Sequence, residues 1–278
     1  MNKSNNFLDK IFEIDRRLRI EHKKVLSSPF INYDFVNLID KYLSDFADYN
    51  NLSPENIVKR FNSFVSTYTI DIKNFISTGK YPHELNKHYL INRIDYEVSL
   101  ILSTVVTVHR HRIMDKLTKL NSFINGKVLM IGLGSGLELE LINIFCPNLD
   151  VEAYDIHVSE FVQNRFNNNK IIKGKFNGRS LYYNYIIAIE LLEHLKKPYS
   201  LISLCYKSLK SEGIFITTTA KNIPQFDHMV NFDNENNFEK QISNIGFVRL
   251  EKEHITHDYM KKNINAKKKN FVLKKNKK

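Results

Sequence analysis

The chain has 278 residues, of which 42% are hydrophobic, so it is long and apolar enough to fold around a substantial core. That composition excludes a disordered chain, and the absence of a long apolar run excludes a membrane-spanning helix. The formal net charge is +11, but residues 261–278 contain nine lysines and no acidic residue, which leaves about +2 for the rest. Such a nearly neutral body argues against a nucleic-acid-binding groove on the fold.

Residues 1–119 predict an all-helical unit. They contain a single glycine, Gly79, and little of the alternation that marks strands. Ser53-Pro54-Glu55 supplies an N-cap, a first-turn proline and an early acid for one helix. No linker rich in proline or serine follows, so we expect this unit to pack onto the rest of the chain as a cap. The predicted helices are 5–25, 31–49, 54–77 and 86–119.

Strand and helix patterns alternate over residues 120–275, which we take as a second domain that ends before the short basic segment 276–278. Such alternation predicts a mostly parallel sheet covered on both faces. The last two strands have no helix between them and should pair antiparallel. The predicted strands are 127–131, 150–154, 170–173, 184–189, 213–219, 247–255 and 270–274. The predicted helices between them are 136–146, 158–167, 198–210 and 235–245.

A glycine turn follows the first predicted strand. The motif Gly132-x-Gly134-x-Gly136 lets the backbone turn tightly and lets a ligand approach the main chain. The helix that begins there offers its N–H groups to an anionic group. Asp155 ends the next strand, where a carboxylate can accept both hydroxyls of a ribose. The pattern therefore indicates a nucleoside-type cofactor.

Two common nucleotide-binding motifs are absent from the sequence, and their absence narrows the choice of cofactor. A dinucleotide fingerprint requires glycine or alanine where this chain has Leu137, and no Gly-Lys-Ser/Thr phosphate loop occurs. What remains resembles motif I of the class I S-adenosylmethionine-dependent methyltransferases. The resemblance covers roughly residues 120–275 and continues in the segments Tyr185–Pro198, Leu209–Thr219, Ile245–Phe247 and Asn270–Leu273. It implies a Rossmann-like α/β fold with a seven-stranded, mostly parallel sheet, and S-adenosylmethionine as the cofactor.

The resemblance also implies a set of cofactor contacts. The three glycines would cradle the methionine part of the cofactor, and Asp155 would bind the ribose. Near the adenine, the family's common acidic residue is missing, so Phe176 or a backbone amide would supply that contact. Glu138, in the first turn of the helix, either holds the amino group through water or acts as a helix-dipole acid. Further expected contacts are Ile156, His157, Glu190 and Leu191.

Glu190, Glu193 and His194 follow an apolar strand at the end where open α/β sheets bind ligands. In a helical turn the three would share one face. Three interpretations stay open: the turn lines the cofactor pocket, it holds a general base, or it binds a divalent metal. The candidate catalytic residues are Glu193, His194 and His228, the last of which lies in the loop after the fifth strand. A metal is not the leading expectation, and its ligands would be Glu190, Glu193, His194 and His228.

The segment His109-Arg110-His111-Arg112 also has two interpretations. It is either a basic helix end stabilised by the helix dipole or an anionic-substrate clamp made by His109, Arg110 and Arg112.

The lysine-rich end is interpreted as solvated and frayed, with phosphate contact as the alternative. Cys146 and Cys205 are expected to be buried thiols. The N-terminus lacks the apolar core of a signal peptide, so a cytoplasmic location is expected.

The expected function is methyl transfer to an oxygen or nitrogen of a small molecule, in specialised or cell-envelope metabolism. A nucleic-acid partner is not expected, and the oligomeric state is not predicted. One alternative is a metal-dependent RNA 2′-O-methyltransferase, because Glu190-x-x-Glu193-His194 with His228 resembles the metal site of the small-RNA 3′-terminal enzymes. The other alternative is a non-catalytic binding protein on the same fold.

Overall fold

The computed structural model describes residues 6–29, 31–85, 92–119, 126–256 and 267–276. The helices are α1 Phe7–Ile14, α2 Arg16–Leu26, α3 Tyr33–Tyr49, α4 Pro54–Thr78, α5 Arg93–Val106, α6 Val108–Thr118, α7 Leu137–Phe145, α8 Glu160–Arg165, α9 Pro198–Ser208 and α10 Glu235–Ile245. The strands are β1 Lys127–Ile131, β2 Asp150–Asp155, β3 Lys170–Lys173, β4 Tyr183–Ala188, β5 Leu209–Lys221, β6 Phe247–Thr256 and β7 Lys267–Lys275. Short 3-10 helices occupy Pro82–Leu85 and Leu192–His194.

The seven strands form one sheet in the order β3-β2-β1-β4-β5-β7-β6. Strands β1 to β5 pair in parallel, whereas β7 pairs antiparallel with both β5 and β6. This confirms the predicted mostly parallel sheet and its antiparallel final pair. The chain runs from β1 outward to β3 and then returns to β4 on the other side of β1. The carboxyl ends of β1 and β4 therefore form a switch point, where sheets of this kind bind ligands.

Two of the predicted helices are each divided in two. The first breaks at Asp15, whose carboxylate accepts a hydrogen bond from Arg17 N and caps α2. The predicted helix 86–119 breaks at Thr107, which is extended and lies within a run of five β-branched residues, 104–108. Such residues lose side-chain freedom in a helix, which favours a break there. Its first residues, 86–91, lie outside the described residues.

The cap and the sheet share a core. Buried side chains of α3 pack against α7 and α8, and Tyr42 contacts Phe161 edge to face, with ring centroids 5.5 Å apart. The Tyr42 hydroxyl donates to Ser135 O at 2.6 Å, so the cap is bonded directly to the turn after β1. Both cysteines are buried, as predicted. None of the described helices combines the length and the apolar character that a membrane crossing requires.

The lysine-rich end is a strand of the sheet and not a frayed tail. Lys268, Lys269 and Lys275 are all buried. Lys269 pairs with Glu235, and Lys275 donates to two backbone carbonyls, those of Tyr206 and Leu209. The prediction of a solvated end was therefore wrong for β7, because neighbouring carboxylates and carbonyls satisfy these ammonium groups. Residues 261, 262, 277 and 278 lie outside the described residues.

Candidate functional site

The glycine turn lies at the switch point. Gly132, Gly134 and Gly136 have φ angles of +83°, +53° and +83°, which side chains with a Cβ rarely adopt. A Cβ on Gly134 would lie 2.8 Å from Leu100 Cδ1, so the cap covers the turn closely. Gly132 and Gly134 line an open cleft. Gly136 faces Phe166 and the Tyr42 hydroxyl instead, so its role is close packing and not ligand contact.

Asp155 holds this turn in place. Its Oδ2 accepts hydrogen bonds from Leu133 N at 2.7 Å and Gly134 N at 3.1 Å, and its Oδ1 accepts from His157 N at 2.8 Å. A carboxylate oxygen has two acceptor sites, so Oδ1 keeps capacity for a further donor. Asp155 also lines the cleft. The residue therefore both shapes the glycine turn and offers an acceptor to a ligand, and the sequence predicted only the second role.

The cleft has a volume of about 680 Å³, which lies in the range of cofactor pockets. Five of the residues expected to contact the cofactor line it: Glu138, Ile156, His157, Glu190 and Leu191. The structure does not bring Phe176 to the cleft. That ring is buried between Tyr154 and Tyr183, at centroid distances of 5.2 and 6.1 Å, because the chain after β3 folds into the second apolar cluster of the sheet domain.

Glu190 has a strained backbone. Its φ is +51°, which is uncommon for a residue with a side chain and typical of functional sites. Two hydrogen bonds with Thr218 hold it: Glu190 N donates to Thr218 Oγ1 at 2.7 Å, and that hydroxyl donates to Glu190 Oε1 at 2.8 Å. Burial opposes its ionisation, but ion pairing with Lys268 and the charge of Arg110 lower the pKa of Glu190 well below its usual value. Glu190 is therefore a fixed anion.

Glu193, three residues after Glu190, does not line the cleft. It also does not line the second cavity, which is described below. It is fully buried, and burial together with the nearby Glu190 raises its pKa, although Lys268 opposes the shift. Lys268 Nζ lies 3.4 Å from Glu193 Oε1. The carboxylate therefore contacts the lysine, and the structure does not support the prediction of a catalytic Glu193. Sequence reasoning missed Lys268, which lies two residues before the predicted strand 270–274 and at the second position of β7.

His194, Asp227 and His228 form a polar cluster beside Glu190. His194 Nδ1 lies 3.1 Å from Asp227 Oδ2, and the two imidazole rings meet edge to face with centroids 4.7 Å apart. Burial disfavours the charged form of His194, but Asp227 outweighs it and raises the pKa of His194 to about 9. Burial and the charge of His194 lower the pKa of His228 to about 3. Asp227 was not among the predicted site residues, although its neighbour His228 was.

A second, more enclosed cavity of about 210 Å³ lies between the cap and the sheet. Helix α4 supplies most of its apolar wall, and the sheet domain and α6 supply a polar floor. The apolar and aromatic lining is Phe61, Phe64, Val65, Tyr68, Ile72, Tyr96, Leu100 and Ile223. The charged or titratable floor is His109, Arg110, Glu190, His194, His228 and Lys268. This enclosed cavity and the cleft meet at Tyr96, Leu100, Arg110, Glu190 and His194, which line both.

The basic segment of α6 is divided between different surroundings. His109 and Arg110 line the enclosed cavity, and Arg110 pairs with Glu138 at 2.9 Å. Arg112 lies away from it and pairs with Glu253 on β6. His111 points to neither, because it packs against the cap, where burial lowers its pKa to about 3. The predicted three-residue clamp does not form, since successive helix positions face different directions.

The sequence comparisons decide the family. A family model described as a methyltransferase domain matches residues 107–261, more than half of the chain. The chain belongs to this methyltransferase-domain family. No curated protein matches the sequence of this methyltransferase significantly.

Solved structures share the fold of the methyltransferase. Phosphoethanolamine N-methyltransferase 2 from Haemonchus contortus, solved with phosphomonomethylethanolamine and S-adenosylhomocysteine, is 13% identical with a TM-score of 0.54. The match covers 68% of this chain and 61% of that one. The cyclase SpnF is 11% identical with a TM-score of 0.50, over 59% of this chain and 80% of that one. At these identities the likeness shows the fold alone, which is the predicted class I fold.

Proposed function

We propose that this methyltransferase transfers a methyl group from S-adenosylmethionine to an oxygen or nitrogen atom of a small molecule. The observation that carries the proposal is the meeting of two spaces at one point. A cofactor-sized cleft at the glycine turn joins an enclosed, largely apolar cavity at Arg110, Glu190 and His194. A donor in one space and an acceptor in the other would be held together, and such orientation supplies much of the catalysis of a displacement reaction.

The residues of the cleft fit the cofactor. Gly132 and Gly134 leave the main chain open to a ligand, and Asp155 offers a fixed carboxylate at the carboxyl end of β2. When bound, S-adenosylmethionine supplies an electrophilic methyl group on a sulfonium. We assign the binding of its nucleoside part to Asp155 and Ile156, and the approach to its methionine part to the glycine turn and Leu191.

We place the acceptor in the enclosed cavity, which is called the acceptor cavity from here on. Its lining indicates the kind of substrate. Its walls are aromatic and aliphatic, and its cations already have anionic partners: Arg110 pairs with Glu138, and Lys268 with Glu190. An acceptor with a strong negative charge would find no free cation among these pairs. We therefore infer an uncharged, apolar or aromatic acceptor whose single nucleophilic atom lies at His194.

The RNA alternative has less support. Its metal set requires Glu190 and Glu193 as ligands, but the Lys268 ammonium already pairs with both carboxylates. RNA binding requires a basic surface, whereas three lysines of β7 are buried. The non-catalytic alternative does not explain why a cleft and a closed cavity meet. The metabolic setting and the cytoplasmic location stay predictions.

The test has two stages. Calorimetry of the purified protein with S-adenosylhomocysteine should show binding at about micromolar levels, roughly 8 kcal/mol. A screen with methyl-labelled S-adenosylmethionine should then include phenols, hydroxylated aromatics, apolar amines, anionic metabolites and short RNAs. We expect label in an uncharged apolar acceptor. Label in RNA, with binding that falls steeply with salt, would reverse the choice of substrate, and absence of cofactor binding would contradict the proposal as a whole.

A further inference from the structure

The cluster of His194, Asp227 and His228 has the spacing of a metal site. Each residue offers one ligand atom, and the three atoms lie within 4.8 Å of one another. The measured distance from His194 Nδ1 to Asp227 Oδ2 is 3.1 Å. Two ligands that each lie about 2.1 Å from one ion are roughly 3.0–3.4 Å apart at octahedral or tetrahedral angles. This is the separation of a hydrogen bond, and it is also that of two ligands of a single ion, which would replace the proton between them.

His228 has the tautomer that a metal ligand requires. Its Nδ1 lies 2.7 Å from Ile223 O, and because a carbonyl only accepts, the proton must be on Nδ1. The lone pair of Nε2 is then available for an ion. Metal-binding histidines usually donate their other ring nitrogen to a carbonyl or carboxylate in this way, which fixes the ring orientation.

The backbone fixes the positions of the ligands. Met229 N and Val230 N donate hydrogen bonds to Glu193 O at 2.7 and 3.1 Å. These bonds connect the loop that carries Asp227 and His228 to the 3-10 helix that carries His194. On the other side, His83 Nδ1 lies 3.0 Å from His228 O. Ligands from two segments are thus held in a fixed relation before any ion binds.

We propose that His194, Asp227 and His228 bind one divalent transition-metal ion. The proposal rests on the proposed function, because His194 and His228 line the acceptor cavity whereas His194 and Asp227 line the cleft. Two imidazoles and one carboxylate form a set that leaves coordination positions open and that suits iron, cobalt, zinc or manganese better than magnesium. Those open positions are where the acceptor's oxygen or nitrogen would bind.

This site differs from the one that the sequence predicted. Glu190 and Glu193 have Lys268 as their cation, so they are not free to bind an ion. Asp227 is the carboxylate that accompanies the two histidines. The change of carboxylate replaces Glu193, which lines neither space, by Asp227, which lines the cleft.

The test uses the whole 278-residue chain without an affinity tag, stripped of metal by a chelator that is then removed. Titration with cobalt chloride is followed by visible absorption, and titration with zinc chloride by calorimetry. We expect one equivalent of either ion per chain. His228→Gln and Asp227→Asn should each weaken binding at least about tenfold, because each removes a ligand. His254→Gln is the matched control, since His254 lies on β6 beside Glu235, away from the cluster.

Binding of S-adenosylhomocysteine is measured on the same samples. His228 does not line the cleft, so His228→Gln should keep the wild-type affinity for that ligand, which also shows that the variant is folded. If S-adenosylhomocysteine binds but no ion does, or if both variants bind ions like the wild type, the metal proposal is wrong and a His194–Asp227 hydrogen bond remains. If S-adenosylhomocysteine does not bind the wild type, the proposed function fails, and the ion titration still decides the metal site.

Discussion

Lys268, near the start of β7, forms a buried ion pair with Glu190, which follows β4. Strands β4 and β7 are not neighbours, because β5 lies between them. Lys268 is paired with Ala220 near the end of β5, at the carboxyl edge of the parallel strands. Because β7 runs antiparallel to β5, its first residues lie at the edge of the sheet where the candidate site is.

Replacing Lys268 by methionine should destabilise the protein strongly. The change leaves the buried carboxylates of Glu190 and Glu193 without their cation, and loss of one partner of a buried pair costs about 3–5 kcal/mol. Chemical denaturation measures the free energy of unfolding. Lys274→Met, on the same strand but half-exposed beside Glu212, should cost less than about 1 kcal/mol. Adding Glu190→Gln to Lys268→Met should restore part of the loss, and equal effects of the two lysine changes would contradict the buried-pair argument.

Replacing Asp155 by alanine should weaken the binding of S-adenosylhomocysteine by about 1–3 kcal/mol, which is roughly 5- to 150-fold. The variant loses an acceptor in the cleft and also the two hydrogen bonds that fix Leu133 and Gly134. Calorimetry measures the affinity. Asp150→Ala is the control, because Asp150 is the first residue of the same strand and forms an exposed pair with Lys127. An affinity that does not change in Asp155→Ala would remove this residue from the cofactor site.

Replacing Val65 by tryptophan should block the acceptor cavity while leaving the cleft open. Val65 lines the cavity from α4 but does not line the cleft. We expect methyl transfer to the acceptor to fall at least about tenfold, because the added ring fills the space that the acceptor needs. The affinity for S-adenosylhomocysteine should stay unchanged. Ile76→Trp, exposed on the same helix, is the control, and full activity of Val65→Trp would place the acceptor elsewhere.

Stability should fall in acid because of His111. Both of its ring nitrogens are buried without a hydrogen-bond partner among the described residues, next to Phe35 and near His22. Burial lowers its pKa from 6.5 to about 3, with a smaller contribution from His22. The unfolded chain therefore binds a proton that the folded one does not. The stability is fully present above about pH 6.5 and decreases as the pH falls toward 3, by about 2 kcal/mol at pH 5.

The check is denaturation at about pH 7 and about pH 5. His111→Phe keeps a ring against Phe35 and should lose about 2 kcal/mol of the difference in stability between the two pH values. The buried His22 and His228, whose pKa values are also lowered, should supply what acid sensitivity remains. His254→Gln should behave like the wild type. If His111→Phe retained the whole wild-type pH dependence, the ring would be hydrated or paired in solution.

The parts of the site that the sequence predicted are those with a local cause. Gly132 and Gly134 were predicted because a tight turn with positive φ needs glycine, and Asp155 because it ends the strand that follows. Both signals involve neighbours in the chain. Phe176 and Arg112 were placed wrongly for the opposite reason. Each lies near predicted site residues in the sequence, but its side chain packs away from the site. Phe176 is buried in an apolar cluster, and Arg112 forms an ion pair with Glu253.

The sequence by itself determined the fold, because the alternation of apolar residues, the glycine turn and the helix caps act through backbone geometry and burial. Only the tertiary structure decided the chemistry of the site. Strand β7 lies beside β5 in the sheet, so Lys268 contacts Glu190 and Glu193. The loop after β5 brings Asp227 within 3.1 Å of His194. Electrostatic pairs of this kind depend on which segments become neighbours in space, and residue spacing along the chain carries no record of that.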